Sequence, residues 1–209
     1  YVENITINDK NISVIGEDIE TTIIDGNQNG NVIIVAGASA YISELTIQNG
    51  GTLPPGVYGG GILFDHTSST LQNLLVRENS GEAGGGIACF NNSNIDLINV
   101  EITNNTATGG GGGIYSENSI IDANNILLAN NLAGNAGGGG MRLYNPSGTI
   151  ITNSTIVNNT ASSDGGSIQT LQDISIINTI IWDNYPDEIS LTDGMVTGSV
   201  SATYSDIQG

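Results

Sequence analysis

Apolar residues recur at alternate positions in short runs along this chain, and the runs return at a nearly constant interval. Before a recurring asparagine, Ile95/Leu97, Ile121/Ala123, Thr149/Ile151 and Ile174/Ile176 occupy matching positions, with Asp96, Asp122 and Ser175 between them. This period-2 alternation predicts a half-buried strand. After the asparagine, a second short strand turns Val100/Ile102, Ile126/Leu128 and Thr179/Ile181 inward. A third starts at a glycine block and turns Ile87/Cys89, Ile114/Ser116, Met141/Leu143 and Ile168/Thr170 inward.

Two markers keep this register. Glycine blocks end at Ile62, Ile87, Ile114, Met141 and Ile168, at intervals of 25, 27, 27 and 27 residues. Asparagine blocks run Asn73/Val76/Asn79, Asn99/Ile102/Asn105, Asn125/Leu128/Asn131, Asn153/Ile156/Asn159 and Asn178/Ile181/Asn184. A unit this short cannot bury its apolar side alone, so it must stack on copies of itself. The expected fold is all-β: a right-handed parallel β-helix of about seven coils, each with three short strands. One domain spans 1–209, with N-terminal coils at 1–50, the regular repeats at 51–185 and C-terminal coils at 186–209. The chain opens mid-pattern at Tyr1 and stops within a coil, so it reads as a segment of a longer helix.

Both markers have folding roles. Asparagine tolerates left-handed backbone and bonds locally around tight turns. With coils about 4.8 Å apart, Asn73, Asn99, Asn125, Asn153 and Asn178 are expected to form a ladder of buried turn amides. Glycines permit positive φ and close approach of successive coils.

The segments "INVEITNNTATGGGGGIYSEN" and "NSTIVNNTASSDGGSI" resemble the Gly-Gly-Ala-Ile and Phe-x-x-Asn repeats of chlamydial polymorphic outer-membrane proteins. They are similar also to repeats of secreted bacterial β-helix proteins in the pectin-lyase-like superfamily. Departures are the aliphatic Val76, Ile102, Leu128, Ile156 and Ile181 at the phenylalanine position, and Gly rather than Ala before Ile. The resemblance implies the fold and a secreted or bacterial cell-surface location. A fold of this kind carries many activities.

Composition narrows the partners. Three basic residues stand against 21 acidic ones, for a formal charge of −18. Such a chain cannot neutralise phosphates, which argues against nucleic acid. No apolar run reaches the roughly 18 residues of a membrane span. The single cysteine, Cys89, reads as a small core residue. Sequons at Asn4, Asn11, Asn91, Asn104, Asn153 and Asn158 follow from an Asn- and Thr-rich composition.

The cationic side chains are few for a polysaccharide enzyme. Arg77 follows Val76 on the second strand and Arg142 follows Met141 on the third, so they should not converge on one substrate. His66, beside Asp65, reads as an exposed turn residue. No catalytic residue and no metal site is assigned, apart from weak calcium binding at Asp96 and Asp122, outward on successive coils. A threonine array for ice binding is absent, since the matching positions read Leu75, Glu101, Leu127, Thr155 and Ile180.

The expectation is a non-catalytic structural or adhesive module that contacts glycan or a cell-surface protein. Self-association through open coil ends is expected as well. Two outward faces offer ligand contacts: Phe90, Tyr115, Arg142 and Tyr144 on the third strand, and Leu75, Leu127, Ile180 and Trp182 on the second. The competing expectation is a polysaccharide-active enzyme, either a polyuronate lyase or a glycosidase.

Overall fold

The computed structural model describes residues 1–51, 56, 58–144, 148–191 and 198–208. Parts of the proposed C-terminal coils, at 192–197 and 209, lie outside the described residues. Every regular element among the described residues is a strand, and the strands stack in parallel as a β-solenoid of about seven turns.

The third strands form a facing sheet of eight: Ile5–Asn8, Ile33–Ala36, Ile62–Asp65, Ile87–Phe90, Ile114–Glu117, Met141–Tyr144, Ile168–Thr170 and Ile189–Ser190. First and second strands share a 13-stranded corner sheet. In three coils they are continuous across the corner, as Ala40–Gln48, Ser68–Arg77 and Asn94–Thr103. Later coils divide there, as in Ile120–Asn124 and Leu127–Ala129. The regular coils also hold a fourth segment that the alternation did not predict. Ser80–Gly81, Thr106–Ala107, Leu132–Ala133 and Thr160–Ala161 pair as a narrow four-stranded sheet. Two residues are too short a run for period-2 alternation to register.

In-register pairing stacks equivalent side chains into columns. Ile33, Ile62, Ile87, Ile114, Met141 and Ile168 form one, all fully buried. Across the core, Ile47, Val76, Ile102, Leu128, Ile156 and Ile181 form another. Each such side chain contributes roughly 1.5–3 kcal/mol on leaving water. Cys89 lies in the column of Phe64 and Ser116, where burial pushes its thiol well above the ordinary range. It is a small, unreactive core residue.

Corners repeat one backbone conformation. The first corner is left-handed at Asn73, Asn99, Asn125, Asn153 and Asn178, with φ between 50° and 56°. Glu44 and Tyr204 fill the same position in coils outside the repeat, at 58° and 52°. The second corner is left-handed at Asn49, Glu78, Asn104, Asn130, Asn158 and Asp183. Side chains with a Cβ avoid this region and asparagine tolerates it best, which accounts for the composition. The glycine block meets two separate demands. Gly111 takes φ +67°, and a Cβ on Gly112 would lie 2.4 Å from the Gly139 carbonyl oxygen of the next coil.

Two amide ladders run along the stack. Asn79, Asn105, Asn131, Asn159 and Asn184 are buried at the second corner. The backbone N–H and Nδ2 of each donate together to Oδ1 one coil on, at 2.9–3.1 Å from Asn79 through Asn159. Nδ2 also donates to a carbonyl of the preceding coil, from Ile47 through Ile156. The series closes on Glu188, whose carboxylate accepts Nδ2 of Asn184 at 2.5 Å.

The ladder expected at the first corner is a different object. Asn99, Asn125, Asn153 and Asn178 are exposed and Asn73 is half-buried, so their amides are not buried turn groups. A left-handed corner residue aims its side chain at solvent, whereas the asparagine just past the second corner turns inward. Outside, Asn99 donates to Asn73 at 3.0 Å, Asn125 to Asn99 at 2.7 Å and Asn178 to Asn153 at 2.8 Å. Asn153 bonds Asn124 instead of Asn125, which interrupts the series. This outer ladder points the opposite way along the axis and ends on the carboxylate of Glu44, the acceptor of Asn73.

Candidate functional site

The facing sheet carries the largest aromatic group. Register places Leu63, Ala88, Tyr115, Arg142 and Gln169 in one outward column. Asp65 and Phe90 pair in the neighbouring column, where Glu117 pairs with Tyr144. Phe90 and Tyr115 meet with ring centroids 5.6 Å apart, tilted by 42°. Tyr58 joins them, edge-on to Phe90 at 5.3 Å. It escaped the sequence reading because it lies outside any alternating run, and its one signal was its place just ahead of the glycine block. Tyr144 takes no part in these ring contacts, its strand neighbour being Glu117. Among the strand's outward positions, Ala88 is fully buried, close against the turns at Gly59 and Gly84.

Polar groups frame the rings. The Tyr115 hydroxyl donates to Oε2 of Glu117 at 3.1 Å. Burial, and then the charge of Glu117, push that hydroxyl well above the ordinary phenol range, so it remains a neutral donor. Arg142 follows one coil on, half-buried and without a hydrogen-bond partner among the described residues. Gln169, next in the column, and Leu171 are both buried, although their alternation with the inward Ile168 and Thr170 points them away from the core.

The second outward face is less continuous than its sequence positions suggested. The column reads Thr46, Leu75, Glu101, Leu127, Thr155 and Ile180, so polar residues separate the apolar ones. Leu75 and Leu127 are half-buried. Trp182, 44% exposed, stands in the next column beside Val157. Arg77 lies on this sheet and donates through Nε and Nη2 to Gln48 Oε1 at 3.1 and 3.0 Å. Arg142 belongs to the facing sheet, and the two guanidinium groups do not converge.

Also on the corner sheet, Asp96 and Asp122 are register partners beside a groove of about 290 Å³ walled by Ile98, Asn124, Ile150 and Thr152. Burial, and then the charge of Asp96, raise the Asp122 pKa. A raised carboxyl penalises the fold while ionised, and the penalty fades as pH falls through its raised folded value toward the ordinary aspartate value of 3.8. Asp122→Asn should therefore raise the Tm at neutral pH, with the gain shrinking on acidification. A gain equal at pH 7 and at pH 3.5 or so would show that the charge is not its source. No group of three or more His, Cys, Asp or Glu side chains among the described residues is placed to hold a metal ion.

His66 occupies the left-handed position of the third corner, with φ 52° and Nδ1 2.9 Å from Asp65 Oδ1. Asn11, Ser39, Thr67 and Asn92 line the hollow beside it.

No protein-family model matches the chain, and no curated protein matches it. The ring cluster offers stacking surfaces with one acceptor and one donor beside them. The aspartate groove offers two carboxylates that project from the same side, since they share a column.

Proposed function

We propose that this chain is a non-catalytic, secreted or cell-surface β-helix module with a structural and adhesive role. One observation carries the reading: both asparagines of every repeat block, ten side chains in five coils, bond coil to coil along two ladders. A stack braced in this way is a rigid spacer that displays the short outward columns of its sheets. The resemblance of the repeats to secreted bacterial β-helix proteins supports a place outside the cell. The separation of Arg77 from Arg142 speaks against gripping a polyuronate.

The competing enzyme reading draws on the raised carboxyl of Asp122 beside Asp96. Against it, glycoside hydrolysis needs carboxyls flanking the bond, and this pair reaches from one side. Incubation with pectate, alginate and neutral β-glucans, with and without calcium, is expected to release no reducing ends or unsaturated products above buffer. Turnover that disappears in Asp96→Asn or Asp122→Asn would overturn the non-catalytic reading. Calcium, if it binds, is expected weakly at that aspartate pair.

A further inference from the structure

The aromatic cluster extends the adhesive reading, on which this inference rests, to a ligand class. We propose that Tyr58, Phe90 and Tyr115 form a binding site for an uncharged glycan, with pyranose rings against the aromatic surfaces and hydroxyls bonded by Glu117 and Arg142.

Three observations converge on it. The rings are contributed by neighbouring coils and touch one another at 5.3 and 5.6 Å, so the cluster steps along the stack axis and suits an extended chain. Ring on ring, with strands beneath Phe90 and Tyr115, holds the surfaces in place before a ligand arrives, and preorganisation lowers the entropy lost on binding. Tyr58 remains 40% exposed, while Phe90 and Tyr115 are half-buried. Such rings present an apolar body and a fixed orientation.

The polar frame matches hydroxyl groups. Glu117 uses Oε2 for Tyr115, and its Oε1 has no protein partner among the described residues. Arg142, adjacent to Tyr115 in the column, supplies donors in a planar fork. An acceptor and a donor on either side of an aromatic surface recognise a hydroxylated ring better than a purely apolar ligand.

Charge selects among glycans. The chain carries −18 overall, and Arg142 is the one cation of this column, so a polyanion meets net repulsion. A protein partner would need about 800 Å² on this side, far more than three rings and two polar side chains provide.

Calorimetric titration with β-1,4-linked hexamers of glucose and of N-acetylglucosamine, with oligogalacturonate as the anionic comparison, tests the site. At least one uncharged hexamer should bind, and oligogalacturonate should bind more weakly. Tyr58→Ser and Arg142→Gln should each weaken binding about three- to tenfold, while Tyr204→Ser, on the exposed surface of a C-terminal coil, leaves it unchanged. Tyr58 is exposed, so its variant should melt like the parent, which circular dichroism checks. Binding to neither uncharged hexamer, a preference for oligogalacturonate, or affinity indifferent to Tyr58→Ser and Arg142→Gln would each overturn the proposal. Shortening of a hexamer during titration would instead overturn the non-catalytic reading.

Discussion

Asn131→Ala should destabilise the fold by roughly 3–4 kcal/mol, whereas Asn125→Ala, one strand away in the same coil, should cost only about 1 kcal/mol. The Asn131 amide takes part in four buried hydrogen bonds. It accepts from the backbone N–H and Nδ2 of Asn105, and donates to Asn159 Oδ1 and to the Ile102 carbonyl. Alanine leaves the Asn105 N–H buried with no acceptor and the other three groups one partner short. Asn125 gives up a single bond to Asn99 at the surface, where water replaces it, plus part of its tolerance for left-handed backbone. Urea unfolding of both variants gives the difference, and amide exchange shows where the damage lies. Fast exchange should centre on the coils either side of Asn131, because each coil contacts mainly its neighbours. Equal losses for the two variants would mean that the inner ladder adds nothing beyond the outer one.

Gly112→Ala is expected to cost about 3 kcal/mol or more, since overpacking here acts on backbone. The added methyl would lie 2.4 Å from the Gly139 oxygen and 2.6 Å from the Leu132 carbonyl atoms, all in the next coil. To admit it the coils must part, which strains the bonds from Gly112 N–H to Gly138 at 3.1 Å and from Ile114 N–H to Gly140 at 2.9 Å. Gly109→Ala in the same block serves as comparison, because its one close contact is the Glu82 oxygen at 2.8 Å. It should lose less than half as much. Matching losses would show that the closeness of the neighbouring coil's backbone does not set the glycine requirement.

Much of the stack could be read along the chain because period-2 alternation and a fixed repeat leave few choices. The inward sets Ile87/Cys89, Ile95/Leu97 and Val100/Ile102 all lie in the core. The two asparagines of each block were harder to tell apart. Both adjoin an alternating run and differ only in the side of the corner on which they fall, which one-dimensional spacing does not encode. The residues closing the ladders, Glu44 and Glu188, stand outside the regular repeat, so no pattern marked them. Outward positions were legible as directions but not as surroundings. Gln169 and Leu171 are covered although their strand parity points away from the core. Tyr58 reaches the ring cluster from a segment with no alternation at all, and such contacts depend on how a turn lies over the sheet. Function was the least legible, because the repeat positions that dominate the chain serve stacking.

In-register parallel pairing also decides how such a rod bears tension. A pull along the stack axis loads every backbone bond and both amide ladders at a coil junction together, so a junction gives way only when many bonds fail at once. A pull on a chain end loads the outermost coil bond by bond and peels it away. Resistance to force should therefore depend on where the module is gripped: high for a load spread across the end coils, low for one applied through a terminal strand.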